Sequence, residues 1–169
     1  ANAQFPSLNK KEIKEGWFLL VEGKTFDGWQ KSNGTPFTGK GWEIQNGIIS
    51  VNPVDGSGGD IVTTKEFSDF ELSLDFKLEK RSNSGVKYFV SESDESKRSA
   101  TSSLEYQIVD DAKIDPADVT LTLGSLADVK AAKKSRGTTK KLGEWNQGLI
   151  RVLPDNKVKY FLDGYKVLE

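Results

Sequence analysis

The 169-residue sequence contains no cysteine, no histidine and no methionine. The lack of cysteine excludes disulfides, thiolate nucleophiles and cysteine-ligated zinc. The lack of histidine removes the commonest general base and the commonest transition-metal ligand, so a Ser-His-Asp triad cannot form within this chain. A metal ion would have to be held by oxygen ligands, which favours calcium, magnesium or manganese.

An excess of charge of either sign is also missing, because 24 Lys and Arg residues balance 25 Asp and Glu residues. A nucleic-acid-binding protein normally carries a basic stripe, so we expect no nucleic-acid partner. The basic clusters "KAAKKSR" and "TTKKLGE" are typical of solvated surface loops. No apolar run approaches the roughly 18 residues that a membrane span requires, so we expect no transmembrane segment. In the opening "ANAQFPSL", the residues "ANA" resemble either the small-residue end of a signal peptide or the first residues left after its removal.

The sequence does contain a series of short alternating segments, which predict β-strands. The stretch "GWEIQNGIISVN" predicts a hairpin with a type I′ turn at Asn46-Gly47. In "DFELSLDFKLE" apolar and polar residues alternate throughout, as in a half-buried strand. The segments "SGVKYFVS" and "SLEYQIVD" predict two more strands. The segment "LIRVLPDNKVKYFLDGYKVLE" predicts a closing meander with turns at Asp155-Asn156 and Asp163-Gly164.

Helical signals are few. The segment "SLNKKEIKEGW" predicts a short helix with Ser7 as N-cap and Gly16 as its stop, and "SLADVKAAKK" predicts a second short helix. Many short strands at near-regular spacing indicate a β-sandwich or barrel. We expect residues 1–14 to form an N-terminal segment with the short helix and residues 15–169 to form one sandwich domain. Because the chain ends inside a predicted strand, we expect a further strand beyond Glu169.

Two of the predicted strands carry polar residues where burial would favour apolar ones. Alternation places Lys87 on one face of "SNSGVKYFV", after a turn predicted at Asn83–Gly85. It places Glu105 and Gln107 on one face of "SLEYQIVDD", roughly 6.5 Å apart. If the strands are neighbours, these three side chains share a face, with a spacing that suits sugar hydroxyls or two catalytic groups around one bond. The alternative is that this face simply contacts water.

Other polar and aromatic residues have a structural interpretation beside a functional one. The pair Asp110-Asp111 closes the second of these strands and is typical of a turn or a helix cap. Trp29, Trp42 and Trp145 fit the core of a sandwich better than a sugar-stacking platform. Asn146, which follows the last of them, is expected to cap or turn the chain. The glycine-rich stretch "GSGGDI" lacks the phosphate-loop pattern, so we reject phosphate binding there.

Taken in order, a series of segments resembles the 3-keto-disaccharide hydrolase family. They are "EGWFLLVEGKTFDGW", "GKGWEIQNGIISV", "GGDIVTTKEFSDFELSLDFKL", "SNSGVKYFV", "LEYQIVDD", "LGSLADV", "GEWNQGLIRV" and "VKYFLDGYKVLE", and they run from about residue 15 to residue 169. The resemblance implies a concanavalin A-like jelly-roll β-sandwich of two curved antiparallel sheets, with one or two short helices. It also implies a carbohydrate ligand or substrate and a secreted or periplasmic setting in a bacterial cell envelope.

The resemblance also has departures. The positions that match the family's pattern are Asn83, Ser84, Gly85, Glu105, Gln107, Asp110, Asp111, Trp145 and Asn146. A family histidine shortly after the double aspartate is absent here, where Ile114 lies near its place. A second is absent from the strand before Asp163-Gly164. If those histidines act in the family's chemistry, we expect this chain to be weakened, altered or inactive as an enzyme.

The implied chemistry starts from a ketone at carbon 3 of a glycoside, which acidifies the proton on carbon 2 and allows elimination of the aglycone at carbon 1. It needs a base, a group that stabilises the enolate oxygen and a proton for the leaving oxygen. We predict Glu105 as base or metal ligand, Lys87 as the enolate-stabilising cation, and Asp110 or Asp111 as acid, with Asp110 also a metal ligand. The predicted substrate-binding residues are Gln107, Asn83, Asn146 and Trp145.

Three other functions stay open on the sequence. An ordinary glycosidase would need two carboxyl groups about 5 to 9 Å apart, and Glu105 with Asp110 are the candidates. A non-catalytic sugar-binding module of the same fold is favoured by the missing histidines. A purely structural domain predicts no sugar-sized cleft at all.

Overall fold

A computed structural model describes residues 6–51, 58–90, 103–135 and 137–169. The chain divides into two compact units, residues 1–66 and residues 67–169, and each is described by itself. The first residues, which resemble a processed N-terminus, lie outside the described part. The single domain predicted over residues 15–169 stays a prediction.

The first unit begins with the predicted helix, α1, which spans Lys10–Lys14. Its N-cap is Asn9 and not Ser7, so the predicted cap is wrong. The Asn9 side chain accepts hydrogen bonds from the backbone N–H groups of Lys11 and Glu12, and the Glu12 carboxylate accepts one from the Asn9 N–H in return. This reciprocal capping box fixes where the helix starts. Gly16 follows the helix with a φ of 88°, which confirms the predicted stop.

The strands of the first unit form two antiparallel pairs. One pair joins β1 (Trp29–Lys31) and β4 (Ile61–Thr63), and the other joins β2 (Trp42–Gln45) and β3 (Ile48–Val51). Between β2 and β3, Asn46 and Gly47 have φ angles of 52° and 80°. Positive φ at both central residues defines a type I′ turn, so the predicted hairpin is confirmed.

The second unit contains a four-stranded antiparallel sheet and a two-stranded ribbon. The sheet has the strand order β10-β9-β8-β5, and the ribbon pairs β6 with β7. The bounds are β5 Phe70–Lys77, β6 Asn83–Tyr88, β7 Leu104–Val109, β8 Trp145–Val152, β9 Val158–Leu162 and β10 Tyr165–Leu168. Two short 3₁₀ helices span Asp111–Lys113 and Val119–Leu121. Every strand pair among the described residues is antiparallel, so the all-β prediction is confirmed.

Two local predictions in this unit are wrong. Asn83–Gly85 belongs to strand β6 and is not a turn, because each of its residues pairs with β7. The segment predicted as a second helix forms turns with an isolated bridge between Leu126 and Lys130. Its backbone hydrogen-bonds instead to the edge of β7 that does not pair with β6. In a helix the same backbone groups would be bonded within the segment. Among the described residues, no helix is long and apolar enough to cross a bilayer.

Three tyrosines join the ribbon to the sheet. The rings of Tyr106 (β7) and Tyr160 (β9) lie 4.9 Å apart at an edge-to-face angle, and the Tyr106 hydroxyl donates to the Phe161 carbonyl over 3.2 Å. Tyr88 (β6) and Tyr160 share a hydrogen bond of 2.5 Å between their hydroxyl oxygens. Burial raises the pKa of both phenols of that pair, so they are neutral at physiological pH.

The Tyr88–Tyr160 hydrogen bond yields a test of this packing. Tyr88→Phe leaves the fully buried Tyr160 hydroxyl without its partner, which should lower the unfolding free energy by about 1–3 kcal/mol. The double variant Tyr88→Phe/Tyr160→Phe should lose less than the sum of the two single variants, since it removes both polar groups. Urea unfolding followed by circular dichroism measures the effect, with the exposed Tyr165→Phe as a near-neutral control. Strictly additive losses would contradict a direct hydrogen bond.

Candidate functional site

The pairing of β6 with β7 brings the predicted polar residues together. In the register of this ribbon Lys87 lies directly opposite Glu105, Gly85 opposite Gln107 and Asn83 opposite Val109. Residues directly opposite have Cβ atoms about 5 Å apart, and their side chains leave the same face of the pair. The strands are therefore neighbours, as the shared-face prediction required. We call this set, Asn83, Gly85, Lys87, Glu105 and Gln107, the ribbon face.

The position of the Glu105 carboxylate depends on Gly85. A Cβ atom added to Gly85 would lie 2.0 Å from Glu105 Oε1 and 2.7 Å from its Cδ. Since real Cβ atoms do not approach other atoms so closely, the Glu105 side chain crosses the ribbon through space that only glycine leaves. The carboxylate therefore lies diagonally over Gly85, the residue directly opposite Gln107 on the other strand.

Strand β7 is held on both of its edges. Beyond its pairing with β6, the Gln107 N–H donates to the Ser125 carbonyl over 3.0 Å, and the Gly124 N–H donates to the Gln107 carbonyl over 2.9 Å. The Ala127 N–H donates to the Glu105 carbonyl over 3.0 Å. The backbone under Glu105 and Gln107 is therefore fixed by neighbours on either side, which preorganises their side chains.

Gln107 is the most deeply placed polar group of the ribbon face, with only 7% of its surface exposed. Its side chain leaves the same face of the ribbon as Glu105 and Lys87. An amide offers both a hydrogen-bond donor and an acceptor. The Gln107 amide is thus suited to bind a ligand hydroxyl.

A basic side chain lies across the ribbon from Glu105. Lys87, whose side chain is exposed, is the cation opposite Glu105 in the register. A half-buried carboxylate can accept a proton, and an ammonium group opposite it can stabilise an anion that develops in the reaction.

Asp110 and Asp111 are bound to the backbone around the end of β7. Asp110, with 6% of its surface exposed, accepts hydrogen bonds from the N–H groups of Arg81 at 2.8 Å and Ala112 at 3.1 Å. Asp111 accepts from the Leu123 N–H over 2.7 Å and pairs with Lys134 over 2.6 Å. These contacts tie three loops together, and Asp110 caps the first 3₁₀ helix, as the turn-or-cap interpretation predicts.

Glu105 and Asp110 are five residues apart along an extended strand, which separates their Cα atoms by roughly 16 Å. That distance disfavours the two-carboxylate glycosidase, which needs a pair within about 9 Å. Among the described residues, no group of three or more acidic side chains is placed to hold a metal ion. Metal ligation by Glu105 and Asp110 stays a prediction, and we assign no reaction step to a metal.

The two remaining predicted residues lie on β8, in the four-stranded sheet. The Trp145 side chain is 46% exposed, so its interpretation as a core residue is wrong. Alternation puts it on the outer face of the sheet, where the Lys77 ammonium lies 5.3 Å from its ring centroid. Asn146, only 3% exposed, accepts a hydrogen bond from the Lys140 N–H over 2.9 Å and holds that loop. Trp29 and Trp42 are half-buried.

Sequence reasoning missed how Gly85 places Glu105. The available signal was a glycine in the interior of a strand, which often marks a close approach by another group. The sequence pattern predicts a turn at this glycine, because Asn83 and Ser84 precede it. The Ser125 segment that covers the second edge of β7 gave no strand-like signal and could be found only from the folded chain.

Comparison with known proteins agrees with this architecture. The family model of the 3-keto-alpha-glucoside-1,2-lyase-like domain matches residues 16–169. The chain is 31% identical to a 3-keto-disaccharide hydrolase of Bacteroides thetaiotaomicron, over 89% of this chain and 57% of that protein. It therefore spans a little more than half the length of that relative.

Two crystal structures of candidate glycosyl hydrolases from Parabacteroides distasonis have a similar fold. One is 29% identical and superposes with a TM-score of 0.81 over 96% of this chain and 75% of its own. The other is 27% identical, with a TM-score of 0.61 over 82% of this chain and 70% of its own. The resemblance noted in the sequence is confirmed, and the chain belongs to the family of 3-keto-alpha-glucoside-1,2-lyase-like domains.

Proposed function

We propose that this chain cleaves 3-keto-glycosides by removing the proton on carbon 2 and eliminating the glycosidic oxygen from carbon 1. The observation that carries the proposal is the ribbon face, where Gly85 admits the Glu105 carboxylate beside Gln107 and opposite Lys87. The family supplies the substrate class, since its relative in Bacteroides thetaiotaomicron is a 3-keto-disaccharide hydrolase.

In this mechanism Glu105 is the base. The chain contains no histidine, so a carboxylate is the group best suited to accept the proton from carbon 2. The electron pair of the broken C–H bond forms an enolate with its charge on the oxygen of carbon 3. The electron pair on that oxygen then re-forms the ketone, and the double bond of the enolate shifts to lie between carbon 1 and carbon 2. The bond from carbon 1 to the aglycone oxygen breaks at the same time. The leaving oxygen takes up a proton from solvent, and Glu105 returns the proton that it accepted to solvent. Addition of water to the double bond then completes net hydrolysis.

Lys87 and Gln107 have supporting roles. The Lys87 ammonium group, opposite the base in the register, stabilises the enolate oxygen electrostatically. The Gln107 amide donates to or accepts from a sugar hydroxyl and so orients the ring against Glu105. Asn83 lies on the same face and can contact the outer part of the substrate.

The non-catalytic sugar-binding module is the second candidate. It is favoured by the absence of the two family histidines that the resemblance leads one to expect, and by the small number of titratable groups on the ribbon face. Both functions predict sugar binding. Only the enzyme predicts that a single change of charge at Glu105 abolishes turnover while binding persists.

We expect Glu105→Gln to lower the turnover of a 3-keto-glucoside by at least about 100-fold, because the amide cannot accept the proton. Binding of the substrate should persist, since the shape of the side chain is kept. Single-turnover kinetics and calorimetric titration measure the two quantities, with the exposed Glu144→Gln as a matched control. Undiminished turnover would remove Glu105 from the mechanism. A wild-type chain that binds but never cleaves would establish the module.

Gly85→Ala should displace the Glu105 carboxylate, because the new methyl group would overlap it. A displacement of about 1 Å is enough to lower kcat by roughly 100-fold. The neighbouring Ser84→Ala is the control, since its side chain leaves the other face of the same strand. Circular dichroism verifies that both variants are folded. If Gly85→Ala keeps full kcat while folded, the position of the carboxylate over Gly85 is not needed for the reaction.

Asp111→Ala separates a structural from a catalytic role of the double aspartate. The change leaves the Leu123 N–H and Lys134 without their partner, which should lower the unfolding free energy by about 1–3 kcal/mol. The kcat of the folded fraction should stay within about twofold, because the carboxylate is far from Glu105 along the strand. The exposed Asp115→Ala is the control for chemical denaturation. A large loss of kcat with unchanged stability would instead support the predicted role as an acid.

A further inference from the structure

An open cleft of about 360 Å³ lies within the first compact unit. It is formed by the turn before β1 and the loop after β1. Its walls combine aromatic rings, polar side chains and glycine backbone: Phe26, Asp27, Gly28, Trp29, Pro36, Phe37, Thr38 and Gly39. None of these residues belongs to the ribbon face.

Short-range backbone bonds shape the cleft. The Trp29 N–H donates to the Phe26 carbonyl over 3.0 Å and closes the first turn, while an isolated bridge joins Gln30 to Pro36. The Trp29 indole N–H donates to the Leu20 carbonyl over 2.9 Å, which fixes the orientation of the ring. The walls are thus held in place before any ligand binds.

Two phenylalanine rings form the apolar wall. The rings of Phe26 and Phe37 meet edge to face, with their centroids 4.8 Å apart. Both rings are half-buried, so part of each stays exposed in the cleft. A Cβ atom added to Gly39 would lie 3.7 Å from a ring carbon of Phe26, which is an ordinary contact distance. Gly39 therefore lines the cleft next to the aromatic wall.

The polar groups stand on exposed positions around these rings. Asp27 is exposed, and one of its carboxylate oxygens accepts a hydrogen bond from the Thr25 hydroxyl over 2.7 Å. Thr38 is exposed on the loop at the other side. The negative charge of Asp27 disfavours anions, and a single carboxylate is too few ligands for a divalent cation. The polar groups instead suit a neutral ligand that carries hydroxyls.

We propose that this cleft of the first compact unit is a carbohydrate-binding site for a neutral pyranose unit. A pyranose has C–H groups on its ring faces, which pack against aromatic rings, and hydroxyls around its rim, which a carboxylate and a threonine can bind. The volume lies within the range of small-molecule sites. The ligand class agrees with the family of the chain, but the inference does not rest on turnover at Glu105.

The test uses non-oxidised disaccharides, which lack the ketone that elimination requires. Calorimetric titration of the full chain with cellobiose, maltose and trehalose is carried out on the wild type and on four variants. Phe37→Ala should weaken binding of at least one disaccharide about tenfold, and Asp27→Ala should weaken it several-fold. Phe18→Ala, an exposed phenylalanine of the same unit outside the cleft, should bind like the wild type.

Glu105→Gln distinguishes a failure of this proposal from a failure of the proposed function. It should lose turnover of the 3-keto substrate, whereas disaccharide affinity should depend on Phe37 and Asp27. The proposal is overturned if no disaccharide of the panel binds the wild type. It is also overturned if Phe37→Ala and Asp27→Ala, both verified as folded by circular dichroism, bind as tightly as Phe18→Ala.

Discussion

The register between β6 and β7 is the constraint on which the ribbon face depends. Side chains alternate along a strand, so a shift of one residue would turn Glu105 and Gln107 into the core and expose Tyr106. The buried tyrosines prevent that shift, because Tyr88 and Tyr106 must both contact Tyr160 on the neighbouring sheet. A packing requirement on one side of the ribbon therefore fixes which polar groups stand on the other side.

Gly85 connects this packing to the chemistry. Glycine in the interior of a strand weakens it by roughly 0.5–1 kcal/mol relative to alanine, since its backbone loses more freedom on folding. The ribbon tolerates this weakness because β7 is also bonded along its other edge, by the segment around Ser125. The absence of one side chain then creates the space in which the Glu105 carboxylate lies.

Short-range patterns predicted much of the fold. The Asn46-Gly47 hairpin, the alternating strand β5 and the closing meander are all present, because turn chemistry and alternation act over a few residues. The incorrect predictions concern segments whose structure depends on residues far away in the sequence. The segment predicted as a second helix bonds to the edge of β7, and Trp145 is exposed because β8 turns it to the outer face of the sheet. The shared face of Lys87 and Glu105 was predictable, whereas the fit of Glu105 over Gly85 was not.

The way each carboxylate is held separates the acidic residues into two kinds. Asp110 and Asp111 accept hydrogen bonds from backbone N–H groups of other loops, so moving either one would break the connection between those loops. A carboxylate that connects loops through such hydrogen bonds is poorly suited to take up and release a proton in every turnover. Glu105 is positioned instead by the shape of the strand opposite, which leaves room for the carboxylate beside a nearly buried amide. This difference in what holds each carboxylate, more than its sequence context, is the reason we propose Glu105, and not Asp110 or Asp111, as the base.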